Sequence, residues 1–224
     1  MRMKERKRNP ASPPLRAVYA ELFAAFGPQK WWPGRTRFEV MVGAVLTQNT
    51  AWTNVEKAIR RLRRERVLQP QALHAVETAT LAEWIRPAGY FRLKADRLKS
   101  LTTALMRDFD GNLNRCFKLS DEDLRAWLLA VKGIGPETAD SILLYAAGRA
   151  QFVVDAYTRR VLERHDWLAA HASYDEVARL FMENLPRDVA LYNEYHALIV
   201  QLGKTYCRPQ PRCASCPLRH RLPR

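Results

Sequence analysis

The sequence predicts an all-α fold. Apolar residues recur at helical spacing along nearly the whole chain, and helix start and stop signals punctuate that pattern. No alternating pattern runs long enough to build a sheet; Gln151–Val154 is apolar but too short.

Taken in order, Pro13–Phe26 reads as a first amphipathic helix, followed by a loop with Gly27, Pro28, Pro33 and Gly34. Phe38–Leu46 is apolar at helical spacing. In Ala51–Arg64, Val55, Ile59 and Leu62 share one face and Arg and Lys the other. Thr80 and Glu83 have capping-box spacing, and Pro87 and Gly89 close the short helix they would start. Leu93–Phe109 predicts a longer helix. Ser120 with Asp123 caps Leu124–Val131, and Thr138–Ala147 and Val154–His165 follow as helices. Ser173, with Glu176 as capping partner, opens another, and Asp188–Tyr206 is the last long one. After Tyr206, four Pro and three Cys exclude a regular helix.

With 224 residues the chain can form one large domain or two small lobes, and its 47% hydrophobic content is that of a globular protein. No apolar run reaches the roughly 18 residues of a membrane span. Met1–Arg8 is basic and lacks the apolar core of a secretory signal, so a cytoplasmic, nucleoid-associated location is expected. The net charge is +14, from 37 Lys and Arg against 23 Asp and Glu. Six of these cations lie in residues 1–16 and six in 204–224. Such an excess attracts polyanions by releasing condensed counterions, but does not separate DNA from RNA.

The sharpest motif is Val131-Lys132-Gly133-Ile134-Gly135-Pro136-Glu137-Thr138-Ala139-Asp140. A helix ends, a Gly-x-Gly turn follows and a new helix starts. Glycine permits positive φ and lets a phosphate approach the backbone, while the new helix presents free amides to that anion. Pro136 suits an early helical position. This looks like a helix-hairpin-helix, which grips one DNA strand without reading its sequence; the plainer alternative is an ordinary helical corner. Lys132, Gly133, Ile134, Gly135 and Thr138 are its candidate DNA-binding residues. About twenty residues later, Phe152-Val153-Val154-Asp155-Ala156-Tyr157-Thr158-Arg159-Arg160 ends an apolar run in one Asp at a helix start. Alone, Asp155 could be only an N-cap.

A Gly-x-Gly hairpin followed at this distance by Val-Asp and Arg resembles the helix-hairpin-helix DNA glycosylase superfamily, endonuclease III-like, over roughly residues 17–218. The resemblance implies a two-lobed fold. The central lobe would span 38–148, with the hairpin at about 124–147. Segments 1–37 and 149–224 would form the second lobe, including the Cys-containing loop 207–216. Duplex DNA with a damaged base or abasic site would be the partner, bound by a monomer across a cleft with Asp155 and Glu137 at its mouth. Breaking an N-glycosidic bond leaves positive charge on the sugar, which the Asp155 carboxylate would stabilise while orienting water. Bifunctional members use a Lys as Schiff-base nucleophile where this chain has Glu137. A carboxylate cannot form an imine, so the resemblance implies hydrolysis without strand cleavage. Lys132 is the nearest substitute amine, but lies before the hairpin.

Two further blocks extend the resemblance. Gln48, in Leu46-Thr47-Gln48-Asn49-Thr50, matches the residue that fills the gap left by a flipped base, though a polar helix-end residue would look the same. Trp31-Trp32-Pro33, Trp52 and Arg86-Pro87-Ala88-Gly89-Tyr90-Phe91, with Glu in the lyase position, are similar to the 3-methyladenine glycosylases of the endonuclease III type. There the base lies between an aromatic ring on this helix and the Trp-Trp-Pro loop, at positions matching Trp52, Trp31 and Pro33. Flat, electron-rich rings suit a cationic alkylpurine, although Trp residues also serve simply as core.

The last block is Cys207-x5-Cys213-x2-Cys216; the fourth cysteine, Cys116, lies elsewhere. Relatives place four Cys here around a [4Fe-4S] cluster, and the fourth position is Leu222 in this chain. A cluster held by three Cys, an empty relic and a zinc site completed by His220 all stay open. The expected function is a monofunctional glycosylase for alkylated purines. An endonuclease III-like enzyme for oxidised pyrimidines is the same-class alternative, and a non-catalytic DNA-structure binder comes from another class. An adenine-mismatch enzyme is disfavoured because the chain lacks the extra C-terminal domain.

Overall fold

In the computed structural model, which describes residues 13–169 and 171–223, the described secondary structure is helical throughout, without a strand. The basic run Met1–Arg8 lies outside the described residues. The helices are α1 (Leu15–Phe26), α2 (Arg37–Leu46), α3 (Trp52–Arg64), α4 (Pro70–Ala75), α5 (Thr78–Trp84), α6 (Phe91–Phe109), α7 (Leu113–Cys116), α8 (Asp121–Ala130), α9 (Pro136–Ser141), α10 (Ala156–Arg164), α11 (Tyr174–Asn184) and α12 (Val189–Thr205). No described helix is long and apolar enough to cross a membrane.

The chain divides into two compact units, Trp32–Ala150 and Met1–Trp31 with Gln151–Arg224. The core of the Trp32–Ala150 unit includes Met41, Val45, Leu62, Leu81, Leu98, Leu105, Leu128 and Ile142, each at most 1% exposed and drawn from several helices. α2 runs through this core, and every residue from Phe38 to Leu46 is buried. In the other unit, Phe152 stacks on Phe181 at 3.9 Å, and Tyr192 and Tyr195 meet Phe152 edge-on. The Tyr195 hydroxyl donates to the Leu15 carbonyl at 2.9 Å, tying α1 to α12.

The caps expected at Ser120 and Ser173 form, Ser173 with Glu176 making a full capping box, and Asp188, read as the first residue of the last helix, caps α12. Thr80 and Glu83 form no capping box: α5 starts at Thr78, capped by Glu77 without a side-chain bond. Leu81 and Ile85, one turn apart and fully buried, lie on the core face. The helix expected over Thr138–Ala147 begins at Pro136 and changes at Ile142 into a π-helical turn, closed by the Ala147 amide on the Ile142 carbonyl at 3.0 Å. The helix read from Val154 starts at Ala156 instead, with Asp155 as its cap.

Candidate active site and DNA-binding elements

The hairpin is built by closing one helix and opening the next. α8 ends with the Val131 amide on the Leu128 carbonyl at 3.1 Å, and the Ile134 amide returns to Val131 at 3.0 Å. Gly133 takes φ 91°, and a Cβ there would lie 2.3 Å from Arg97 Cγ, so only glycine fits. Ile134 is buried and anchors the loop. Gly135 caps α9, with Pro136 in its first turn. The buried Asp140 carboxylate accepts from Arg125 Nε at 2.7 Å, bracketing the two helices. Lys132, Gly133, Gly135, Pro136 and Glu137 are left exposed. The first amides of a helix have no partner within it, so this exposed start suits an anion.

Gln48, just beyond α2, is tied to the hairpin. Its Nε2 donates to Thr138 Oγ1 at 2.8 Å and to the Gly133 carbonyl at 3.2 Å, and its Oε1 accepts from Arg97. Lys94 braces the segment beneath it. This lysine is 1% exposed, and its Nζ donates to the Leu46 carbonyl at 2.8 Å and to Thr50 Oγ1 and the Ala88 carbonyl at 2.7 Å each. Burial, with Arg97 nearby, pushes the Lys94 pKa down to about 8.

Trp32, Pro33 and Trp52 line one cavity of about 280 Å³ with Glu39, Ile59 and Arg63. Trp32 meets Trp52 edge-to-face at 5.0 Å and also packs on Tyr145. Gly43 allows this, since a Cβ there would come within 3.3 Å of the Trp32 ring. Trp31 belongs to the other unit, where the Lys204 ammonium stands 5.6 Å from its ring centre.

Asp155 caps α10: Oδ1 accepts from the Thr158 amide at 2.8 Å and the Thr158 hydroxyl at 3.0 Å. Oδ2 lies 3.5 Å from His196 Nε2, with the two side chains 13% and 6% exposed. Burial alone would raise the Asp155 pKa, but His196 and the Thr158 donors outweigh it and hold the carboxyl below its usual range. An ionised, oriented carboxylate is what charge stabilisation at a sugar requires. Sequence reading missed His196. Its one signal is a lone ionisable residue within the apolar run Tyr195–Val200.

In the tail, Cys207, Cys213 and Cys216 line a small cavity with Leu222, Arg164 and His165. Leu222 thus puts a hydrocarbon wall where a fourth thiolate would stand. His220 lies elsewhere, 61% exposed and 3.5 Å from Glu21. Among the described residues no three His, Cys, Asp or Glu side chains already converge at metal-binding distance. Three thiols without a fourth ligand from Leu222 or His220 do not fit a four-thiolate [4Fe-4S] cluster.

The hairpin, the order of helices around it and the capped aspartate define a class, and comparison with known proteins agrees. Residues 42–187 match the profile described as HhH-GPD superfamily base excision DNA repair protein. The chain belongs to this superfamily and is an endonuclease III-like DNA glycosylase of base-excision repair. A Methanocaldococcus jannaschii protein provisionally named a DNA repair glycosylase is 48% identical over 205 residues, covering 90% of this chain and 92% of its own length. Among solved structures, the Helicobacter pylori 3-methyladenine DNA glycosylase MagIII, bound to 1,N6-ethenoadenine, is similar with 30% identity and a TM-score of 0.71, covering 85% of this chain and 95% of that one. An endonuclease III in non-covalent complex with DNA is similar with 26% identity and a TM-score of 0.79, covering 93% of each chain.

Proposed function

We propose that this chain is a monofunctional glycosylase that hydrolyses the bond between deoxyribose and a flipped alkylated purine, acting as a monomer on damaged duplex DNA. The observation that carries the reading is the ionised Asp155 carboxylate, held by Thr158 and His196, in a chain with Glu137 at the lyase position. As the glycosidic bond breaks, its electron pair leaves with the base and C1′ becomes cationic. Asp155 stabilises that charge, and water adds to C1′, giving up a proton that Asp155 can accept. Alkylation already makes the base a good leaving group, so little acid catalysis is needed.

The hairpin residues Lys132–Gly135 and Thr138 would hold one strand through phosphate contacts, and Gln48 would fill the space vacated by the base. The cavity shared by Trp32, Pro33 and Trp52 supports an aromatic base site, as does the likeness to MagIII with its bound ethenoadenine. For Trp31 only the sequence resemblance supports a role in binding the base. The two lobes expected from the sequence, 38–148 and the terminal segments, are part of this reading.

The higher TM-score of endonuclease III favours a second reading, excision of oxidised pyrimidines with weak or no lyase activity. A panel of lesion-bearing duplexes, developed with and without alkali, separates the two. The proposal expects release of 3-methyladenine or a similar alkylpurine above thymine glycol, with strands that break only after alkali. Preferred release of thymine glycol would favour the second reading.

A further inference from the structure

The cysteine loop does not match a four-thiolate cluster, yet it retains three thiols around one cavity, and a fourth donor meets it from a distant part of the sequence. His165, the residue just beyond α10, lines the same cavity as Cys207, Cys213 and Cys216. It is 6% exposed. Its Nδ1 lies 2.8 Å from the Val161 carbonyl, one turn back. A carbonyl can only accept, so Nδ1 carries the proton and Nε2 keeps its lone pair. That Nε2 is buried and has no hydrogen-bond partner among the described residues. Leaving such an acceptor unsatisfied is costly in a buried setting. The ring is further fixed by stacking on Trp167 at 4.5 Å.

A backbone carbonyl on one ring nitrogen and a buried lone pair on the other is the usual state of a metal-ligating histidine. Size and donor type point the same way. The cavity is about 20 Å³, room for about one water-sized particle. Three thiolates with one imidazole form a tetrahedral donor set suited to zinc. Arg164 Nη1 stands 3.4 Å from Cys207 Sγ and would offset the single negative charge left when three thiolates surround a divalent ion. Arg160 Nε donates to the Cys207 carbonyl at 2.6 Å and fixes that ligand's backbone. Cys213 opens a one-turn 3₁₀ segment that Cys216 caps, and both are only half-buried, so neither thiol is locked in the packed core.

We propose that His165, Cys207, Cys213 and Cys216 form a single-zinc site in the place where relatives hold an iron–sulfur cluster. The site stands on the loop and α10 alone and is independent of which base the enzyme removes.

The test is made on the full chain, purified after growth with both iron and zinc supplied. Metal and acid-labile sulfide analysis should find one zinc per chain and no sulfide. Cobalt(II) replacing zinc should give thiolate charge-transfer absorption and the d–d bands of a tetrahedral ion. In chelator competition, His165→Gln should weaken zinc binding by at least about tenfold, the low end of what loss of even an outer-shell partner costs. His220→Ala should leave it unchanged. Should His165→Gln fail to fold, His165→Cys decides: with four thiolates in place of three, its cobalt charge-transfer absorption should intensify. Iron and sulfide at cluster stoichiometry, a chain that retains no zinc, wild-type zinc affinity in a folded His165→Gln protein, or unchanged absorption in His165→Cys would each overturn the proposal.

Discussion

The Oδ2 atom of Asp155 lies 3.5 Å from Nε2 of His196, while Oδ1 takes both donors of Thr158. One carboxylate therefore caps α10 with one oxygen and is oriented from α12 through the other. Capping and catalysis do not compete here, because the cap fixes the group that the proposed chemistry needs charged.

This pairing predicts a pH response. The Asp155 pKa in the fold lies below the ordinary carboxylate value of about 3.9. Its contribution to stability is then present above that ordinary value and lost as pH falls through the lowered one. Base release should likewise persist into acid until Asp155 protonates. His196→Ala should move the acidic limb of the rate profile to higher pH and lower turnover by about tenfold to a hundredfold, the worth of about 1.5–3 kcal/mol for a bond to a charged group. Duplex affinity should change little. A merely structural histidine would leave the acidic limb in place.

Glu137 should prevent covalent trapping. Borohydride added during turnover should yield no enzyme–DNA adduct with the wild-type chain. Glu137→Lys, which places an amine early in α9, should gain one. An efficient wild-type adduct would assign the nucleophile to another amine, with Lys132 the first to test.

Gln48 should matter on duplex DNA and not on single strands. Filling the vacated space offsets an unstacking cost of a few kcal/mol, so Gln48→Ala should slow release from duplex by about tenfold or more. Rates on a single-stranded lesion should stay the same. Equal losses on both substrates would mean that Gln48 acts by bracing the hairpin through Thr138 and Gly133.

Trp52→Ala should lower alkylpurine release by about tenfold to a hundredfold, a stack on an aromatic ring being worth roughly 1–3 kcal/mol. Affinity for undamaged duplex should hold. Unchanged release would make Trp32 and Trp52 packing residues of their unit and nothing more.

How much of this was legible in the sequence depended on how local each signal was. The long helices showed through their periodicity, and Ser120 and Ser173 cap as their spacing implies. The Thr80–Glu83 spacing misled because a two-residue match does not say whether the chain is already helical before it, and α5 starts at Thr78. α4 and α7, of six and four residues, are too short to show a period. The π-helical turn at Ile142–Ala146 leaves the apolar pattern unchanged. The Gly133–Gly135 hairpin and Asp155 were readable as motifs. Their supports were not, because Arg97 reaches Gly133 and Gln48, and His196 reaches Asp155, from other helices. His165 was hidden in the same way: it meets the cysteine loop only in the fold.

The most direct test is single-turnover base release by Asp155→Asn on the preferred lesion duplex, measured beside its binding to the same duplex. Asn keeps the size and a capping oxygen for Thr158 but removes the charge. Release should fall by at least about 10²–10³, the scale of losing one group that stabilises transition-state charge, while affinity stays nearly that of wild type. Turnover equal to wild type in a protein that still binds DNA would contradict the assignment of Asp155 as the residue that carries the reaction.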